Sequence, residues 1–523
     1  MLSRLRLSCG LLLAASVGLA AESPAPAPPQ QHFDIQEYRV LGNTVLPTVH
    51  IERLLYPLLG ENKTLTDVNG AKTALEKLYH DRGFGTVFVD IPTQDVTDGV
   101  VRLRAVEGRI ERSEISGARY FSERDVMERL PAAKVGTVLN IADLQKQLAP
   151  IGTETADRAV VPVLKAGSAP GTVDVAFKVN DQLPLHGSVE LNNQQTVDTR
   201  PLRAVLAMEY DNLFGTLDRI SFQYQGTPQQ VDQVKVFAAN YAFHPWSSGL
   251  QASLLYINSD SNVATVGTLG VLGKGQIGGL RLAYPFVNEM TSTQSLTLGF
   301  DYKHFRNTVN VDATSALDTP IHYVNLSLGY TGIWRSSWNV TSFSLSGDAG
   351  PRGFANNPLA FANDRYKGRS NYFYTRADLT TLFTLPKQFS LKLRVAGQGA
   401  LEPIISNENY SIAGSDGVRG YLESEELGDS AIRGTVQFQS PAMHWHDWQL
   451  GDAYVFFDGG RTQVIDPLEG QRGHTTLRSW GAGFDFLPGQ KITGSLTWAK
   501  ALATGSSTDA GDSRALFVVH GSF

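Results

Sequence analysis

From Leu185 to the C-terminus the sequence shows no helical periodicity, and this feature constrains the fold more than any other. Apolar and polar residues alternate there with the period of two that β-strands require, in sixteen segments. The segments lie at about 185–192, 200–211, 215–225, 231–243, 248–258, 270–284, 291–303, 321–333, 337–348, 369–384, 388–400, 431–441, 448–458, 474–486, 490–499 and 513–523. An even number of alternating strands predicts an up-and-down antiparallel barrel, the form in which strands cross a bacterial outer membrane.

The connections between these segments alternate between short and long. Short turns include 386–388, whereas the long connections lie near 304–319, 349–367, 402–430 and 459–473. Outer-membrane barrels have tight periplasmic turns and longer outer loops, so this asymmetry favours the same fold. The last segment ends with Phe523, a terminal aromatic residue that resembles the signal by which such barrels are recognised for assembly.

The composition is typical of a membrane barrel. Only 18% of the residues are charged, aromatic residues reach 10%, and there are 50 glycines. No stretch beyond the N-terminus has the ~18 consecutive apolar residues of a transmembrane helix. The net charge of −6 argues against a general nucleic-acid binder. On composition alone, a large soluble β-protein fits as well.

The N-terminus has the pattern of a secretory signal. In residues 1–20, Arg4 and Arg6 precede an apolar core and small residues suited to cleavage. Residues 21–31 are rich in proline and alanine and are predicted to be a short extended linker. The single cysteine, Cys9, lies within the signal, so no disulfide is expected in the mature chain.

Two similar modules are predicted between the linker and the barrel, at 32–108 and 109–182. In the first, Val100–Val106 alternates as a half-buried strand and follows two amphipathic helices. In the second, a helix begins after Asn140, a good N-cap residue. Each module is therefore predicted to be a small α+β unit with the order β-α-α-β-β.

One polar motif within the barrel segments has a candidate partner. Arg419 stands between glycines in the connection 402–430, and Asp458 ends an otherwise apolar strand. A carboxylate that faces a barrel lumen is costly unless it is paired, and arginine binds a carboxylate with two parallel hydrogen bonds. We therefore expect Arg419 and Asp458 to meet inside the barrel and to lock the loop into the lumen. The two residues by themselves are also compatible with two unrelated loop charges.

With these motifs the chain resembles the two-partner secretion transporters (TpsB), in the superfamily that includes BamA. Residues 79–84, 91–95, 98–103 and 107–110 are similar to the POTRA (polypeptide-transport-associated) domain of that family. The resemblance implies two periplasmic POTRA domains, which receive an unfolded secreted partner, and a sixteen-stranded barrel that conducts it outward. It also implies a loop motif and its strand counterpart: Val418, Arg419, Gly420 and Tyr421, with Phe456, Asp458 and Gly460.

The chain departs from the family at its N-terminus. The best-described members carry a helix there that plugs the pore, followed by a long linker. Here only about eleven proline-rich residues, 21–31, separate the signal from the first module. We therefore expect no plug helix, and closure of the pore by the 402–430 loop.

A receptor surface is expected on the first POTRA domain. An exposed sheet edge can pair with an incoming extended chain, and main-chain pairing tolerates many sequences. The expected edge strand, 86–91, carries the candidate partner-binding residues Thr86, Val87, Phe88, Val89 and Ile91. The same residues are also compatible with purely structural strands that pack on their own helices.

The remaining motifs do not indicate catalysis. The glycine-rich segment 273–278 has no helix after it, and 444–447 reads as an interfacial turn, so we expect no enzymatic activity, cofactor or metal. The expected partners are a secreted exoprotein of adhesin or cytolysin type, outer-membrane lipid and the barrel-assembly machinery, with no nucleic acid. The alternatives are a BamA-type assembly factor, a porin, and a soluble surface enzyme.

Overall fold

The computed structural model describes residues 32–523 apart from 97, 198, 246–248, 262, 267–268, 311–315, 446–447 and 488–490. The predicted signal peptide (1–20) and linker (21–31) lie outside the described residues. The chain divides into two compact units. One comprises Arg119–Ser122 and Asp181–Phe523, and the other comprises the rest of the chain up to Asn180. Within the described residues, no helix is both long enough and apolar enough to cross a membrane.

The smaller unit contains both predicted modules. The first module has β1 (Phe33–Ile35), β2 (Glu37–Leu41), α1 (Thr48–Leu55), β3 (Gly60–Lys63), α2 (Leu65–Asp81), β4 (Phe88–Asp90) and β5 (Val100–Val106). Its main sheet has the order β2-β5-β4, with β2 parallel and β4 antiparallel to β5. Both helices pack on this sheet and build a core that includes Leu55, Leu75, Tyr79, Val101 and Leu103.

Residues of the POTRA-like motif form hydrogen bonds that stabilise this first module. Tyr79 is buried, and its hydroxyl donates to Oδ1 of Asn43 at 2.7 Å. The Glu107 carboxylate accepts from the backbone N–H groups of Thr44, at 2.7 Å, and Val45, at 3.2 Å. Burial and the neighbouring Glu107 raise the pKa of Tyr79, which keeps its hydroxyl protonated as a donor. These bonds tie the end of β5 to the turn that follows β2.

The second module repeats this plan. It contains β6 (Arg109–Ser116), α3 (Glu123–Glu128), α4 (Ile141–Thr153), β7 (Arg158–Ala166) and β8 (Thr172–Asp181). The sheet order is β6-β8-β7, with β6 parallel to β8. Asn140 caps α4 by accepting from the N–H of Asp143 at 3.1 Å. The core includes Ile110, Val126, Leu144, Val175 and Phe177.

Gly83 joins the two modules. Its φ of 91° is in the left-handed region, and its carbonyl accepts from the N–H of Ile141 at 2.8 Å. A side chain at this position would begin 2.3 Å from Oδ1 of Asn140. Glycine is therefore required both by the backbone conformation and by the close approach of the second module.

The larger unit is a closed antiparallel barrel, as predicted. Its sixteen main strands are β9 (Leu185–Asn192), β10 (Arg203–Leu213), β11 (Asp218–Gly226), β12 (Lys235–Phe243), β13 (Gln251–Ser259), β14 (Gly275–Asn288), β15 (Ser292–Asn310), β16 (Ala316–Arg335), β17 (Asn339–Ala349), β18 (Phe373–Thr384), β19 (Ser390–Ala400), β20 (Ser430–Gln439), β21 (Trp448–Gln463), β22 (His474–Phe486), β23 (Ile492–Ala501) and β24 (Ser513–Ser522). The short strand Met443–Trp445 extends the turn before β21. Each main strand pairs with the next, and β24 returns to pair with β9.

The two faces of each barrel strand differ as a membrane barrel requires. Large apolar side chains such as Leu206, Met208, Phe222 and Leu254 are exposed on the outer face. The residues between them, such as Ser221, point inward. This alternation puts an apolar band against lipid and polar side chains in the lumen.

Three predicted connections differ from the structure. The predicted loop 304–319 is mostly strand, because β15 and β16 pair without a break from Arg306↔Pro320 to Asn310↔Ala316. The connection 459–473 is shorter than predicted, since β21 continues to Gln463. The connection 349–367 contains a helix, α5 (Pro358–Asp364), which the sequence reading missed. The first two errors share a cause, because polar residues in strands beyond the membrane lose the apolar alternation on which the prediction depends.

Phe523 lies at the barrel seam, directly after β24. Its N–H donates to the Gly187 carbonyl at 2.9 Å, and the Gly187 N–H donates back at 3.1 Å. A side chain at Gly187 would begin 2.2 Å from the Phe523 ring, so the ring lies over the bare glycine backbone of β9. The terminal aromatic residue therefore contributes to barrel closure, and its role as an assembly signal stays a prediction.

Candidate functional site: a loop fastened inside the barrel

The 402–430 connection folds into the barrel as an ordered loop. It contains a short 3-10 turn, Ser406–Glu408, and Tyr410–Ser411 pairs with Leu427–Gly428. The N–H of Val418 donates to the Ile412 carbonyl at 2.7 Å, which closes a tight turn before Arg419. Gly420, at φ 101°, adopts a backbone conformation that side chains disfavour.

Arg419 and Asp458 meet in a bidentate ion pair. Arg419 Nε lies 2.8 Å from Asp458 Oδ2, and Nη2 lies 3.0 Å from Oδ1. The backbone N–H of Arg419 also donates to Oδ2, at 3.2 Å, and Nη1 donates to Gln437 at 3.0 Å. Asp458 is completely buried. The pair therefore satisfies a charge that would otherwise be costly inside the barrel.

An aromatic ring packs against the guanidinium of this pair. The Arg419 guanidinium lies 3.4 Å from the centroid of the Phe456 ring. Phe456 and Asp458 share the inner face of β21, whereas Val455 and Phe457 are exposed on the outer face. The strand alternation thus delivers the ring and the carboxylate to the same side of the wall.

The other motif residues pack around the pair. Val418 is fully buried against Ile412, and a side chain at Gly460 would begin 3.0 to 3.1 Å from atoms of these two residues. The Tyr421 hydroxyl bonds to the carbonyls of Arg478, at 2.9 Å, and Ala503, at 2.6 Å. The structure therefore brings together all seven residues that the sequence singled out.

A second buried anchor, Glu408, was missed by sequence reasoning. Its carboxylate lies 2.7 Å from Lys303 Nζ on β15 and accepts from Tyr374 on β18, at 2.6 Å, and from Tyr323 on β16. Its carbonyl accepts from Arg376 at 3.0 Å. Glu408 is 1% exposed. The only sequence signal was Lys303, a charge on the inward face of a predicted strand.

Asp429 binds near the C-terminal end of the loop. Its carboxylate accepts from the N–H groups of Ile404, at 3.0 Å, and Ile465, at 2.7 Å, and lies 3.4 Å from Arg365 Nη2. The last two partners belong to the two neighbouring long connections. The three long connections are thus bound to one another around a buried carboxylate.

Along another part of the inner wall, the described residues leave an open space. A cavity of about 670 Å³ lies against β9–β14. Its lining includes the partly accessible polar side chains of Ser188, Ser221, Gln223, Asn240 and Ser253. We call these five residues the open wall.

The predicted receptor strand of the first module is shorter than expected. Only Phe88–Asp90 forms β4, and Val87 and Val89 are buried in the module core, which corrects the prediction of a strand over 86–91. β4 is the edge of its sheet, but the Val89 N–H donates to Glu76 on α2 at 3.3 Å, and the Val87 carbonyl contacts His80 Nε2 at 2.9 Å. Helix α2 thus already engages part of this edge.

The second module has a longer free edge. β7 spans nine residues and lies at the end of its sheet. Val161, Val163 and Leu164 are exposed on it. An exposed apolar edge can pair with another chain, and Pro162 at the centre of β7 leaves its two flanks as the segments with N–H groups for such pairing.

Sequence comparisons decide between the alternatives. The profile of the POTRA domain, ShlB-type, matches residues 33–108, and that of the haemolysin secretion/activation protein ShlB/FhaC/HecB matches residues 171–486. The chain belongs to the ShlB/FhaC/HecB family. It is therefore an outer-membrane transporter of the two-partner secretion type, with its POTRA domains in the periplasm.

Relatives with known roles are also transporters. The heme/hemopexin transporter protein HuxB of Haemophilus influenzae (strain 86-028NP) is 21% identical over 507 residues, which are 92% of this chain and 86% of HuxB. The outer membrane transporter CdiB of Dickeya dadantii is 28% identical over 189 residues, which are 36% of this chain and 33% of that protein.

Solved structures share the fold. CdiB from Escherichia coli superposes with a TM-score of 0.60 at 18% identity, covering 96% of this chain and 93% of that one. BamA from Haemophilus ducreyi lacking POTRA domains 1–3 gives 0.59 at 13% identity, covering 94% of this chain and all of that one. At such identities the likeness concerns the fold alone.

Proposed function

We propose that this transporter exports one dedicated secreted protein, of adhesin or cytolysin type, in an unfolded form. The POTRA domains receive the protein in the periplasm, and the barrel conducts it to the cell surface. The observation that carries this proposal is the Arg419–Asp458 pair, a buried lock inside a closed barrel whose chain also contains POTRA-type modules. The export of a protein, as opposed to a small solute, accounts for the presence of these modules.

In this proposal the Arg419–Asp458 pair keeps the loop in a defined place in the lumen. A loop of 29 residues without such an anchor would sample many conformations, since each ordered residue costs about 1–2 kcal/mol of backbone entropy. The bidentate geometry and the Phe456 ring hold Arg419 in one orientation.

The test is secretion of a large β-helical protein encoded beside this gene, with and without the transporter. Without the chain, the partner should stay in the periplasm. Arg419→Ala should abolish most secretion while the barrel remains in the outer membrane, and Arg335→Ala is the matched control. Arg335 is exposed at the end of β16, contacts Thr293 at 3.4 Å and leaves the loop motif untouched. Normal secretion by the Arg419 variant would overturn the proposed role of the lock.

We propose further that the partner docks on a POTRA sheet edge by strand addition. For β4, including Thr86 and Ile91 on either side, an incoming strand has to displace Glu76 from the Val89 N–H. For β7 no such displacement is seen among the bonds described, and exposed Val161, Val163 and Leu164 offer apolar contacts. Glu76→Ala should therefore strengthen binding if β4 is used, whereas Val163→Asp should weaken it if β7 is used. Binding of the purified partner fragment to the full-length transporter distinguishes the two edges, and unchanged binding by both variants contradicts strand addition at these sites.

A further inference from the structure

An apolar cluster fills part of the lumen at the long-loop end of the barrel. Ile404 and Ile405 of the loop are fully buried there. They pack with wall residues of six strands between β12 and β18, namely Val236, Ile257, Ile277, Phe305, Ile321, Tyr323 and Tyr374. Phe361 of α5 joins them, with its ring centroid 5.5 Å from that of Tyr323. We call residues 404–408 together with α5 the seal.

The seal is chemically different from the Arg419 lock. Ile404 and Ile405 share no cluster with Val418 or Tyr421, which pack with Ile412 and Leu477 instead. Glu408 holds the seal through Lys303, and the adjacent Asn407 contacts Asn307 at 2.6 Å. Asn307 in turn donates to Asp364 of α5 at 2.7 Å. One polar network therefore ties both parts of the seal to the β15 wall.

The open wall adjoins the apolar cluster, because paired strands connect residues of the two. Along paired strands, Gln223 faces Ala238, Ala238 faces Ile257, and Ile257 faces Ile277 of the apolar cluster. Asn240 and Ser253 lie farther from the long-loop end on the same strands. The lumen thus has a polar chamber that ends at an apolar barrier.

We propose that the exported polypeptide passes in extended form along the open wall and leaves by displacing the seal, while Arg419 stays bound to Asp458. This inference rests on the proposed export function. An extended chain carries one N–H donor and one carbonyl acceptor per residue. Serine, asparagine and glutamine side chains match both groups for any sequence, and Glu209 and Arg281 add charged groups to the same lining.

The same geometry explains why the lock need not open. The carboxylates of Asp458 and Glu408 bind the loop at separate strands, β21 and β15. Releasing the 404–408 segment therefore frees the outer end of the chamber and leaves the Arg419 turn attached. The lock then serves as the hinge about which the 404–408 part of the seal moves.

The first experiment measures single-channel conductance of the full-length transporter in planar bilayers with potassium chloride. Glu408→Gln weakens the hold of Lys303 on the seal, and Ile404→Ala with Ile405→Ala removes apolar contacts, so both variants should raise conductance several-fold. Gln294→Ala, on the outer face of the same strand as Lys303, removes a hydrogen bond to Tyr330 and should conduct as the parent does. Parental conductance in both seal variants would overturn the proposal.

The second experiment locates the path with single cysteines, which is practical because Cys9 is the only cysteine in the chain. In a Cys9→Ser, Glu408→Gln background, Ser253→Cys is compared with Thr497→Cys. Thr497 also faces the lumen but is 8% exposed and bonded to Tyr454. A maleimide linked to an unfolded glycine–serine–asparagine peptide, added from the short-turn side, should block current through the Ser253 variant alone. Block at Thr497 without block at Ser253 would place the path on the other wall.

These measurements do not require the natural partner. A failure of the secretion test with intact conductance results would argue against the proposed export function alone. Normal dependence of secretion on Arg419, with no effect of the seal variants on conductance, would argue against the path and the seal alone.

Discussion

The two halves of the barrel's inner wall are built from similar alternating strands but differ in how far the loop covers them. On β15–β23, inward residues such as Lys303, Tyr374 and Asp458 are buried beneath the loop. On β9–β14, Ser221, Asn240 and Ser253 stay partly accessible. Both halves carry charged inward residues. On the covered half, Lys303 and Asp458 bond to the loop, whereas on the open half Arg281 pairs with Asp301 within the wall. The difference teaches that a loop is fastened where inward charges bond to loop residues, and that a passage remains where such charges pair with each other within the wall.

The contrast between the two halves of the wall is tested most directly by a substitution of Asp458. Asp458→Ala leaves the Arg419 guanidinium buried without its partner, and loss of one member of a buried pair costs about 3–5 kcal/mol. We expect the loop to leave the covered wall, with new protease cleavage between 402 and 430 in the purified transporter. Asp301→Ala, which breaks an ion pair away from the loop motif, is the control and should leave the loop protected. Full protection in the Asp458 variant would show that the pair does not fasten the loop.

A smaller effect is expected at Tyr421. Tyr421→Phe removes hydroxyl bonds to the carbonyls of Arg478 and Ala503 but keeps the buried ring. The expected loss of stability is about 1 kcal/mol, the usual net value of a hydrogen bond. It should appear as a lower urea midpoint for protease cleavage of the loop. Tyr224→Phe, on the exposed outer face, is a matched control, and equal midpoints for both variants would count against the structural role of the Tyr421 hydroxyl.

The smallest effect on stability is expected on the open wall. Ser253→Ala should change the free energy of unfolding by no more than about 0.5 kcal/mol, because the side chain is partly accessible and carries no loop contact in the structure as described. Urea unfolding of the detergent-solubilised barrel measures this value. A loss comparable with that of Asp458→Ala would mean that the open wall also supports the loop, and the contrast between the two halves would fail.

Much of the architecture was predictable because it depends on local pattern. Period-two alternation predicted the sixteen strands. The same pattern predicted that the side chains of Phe456 and Asp458 both point into the barrel. The contact with Arg419 was expected from the cost of an unpaired lumenal carboxylate together with a family motif. Strand ends were less accurate, as the wrong loop at 304–319 shows, since polar hairpin extensions have no apolar face to mark them.

The sequence by itself determined a sixteen-stranded outer-membrane barrel after two POTRA-type modules, and it indicated Arg419 and Asp458. Only the tertiary structure decided that Glu408 is a second anchor, that α5 and Ile404 share one apolar cluster, and that a cavity remains along one part of the wall. The physical reason is separation along the chain. Alternation is a pattern of neighbouring residues and can be read from the sequence. Glu408 contacts Lys303 across 105 positions, and no periodic pattern in the sequence indicates this contact.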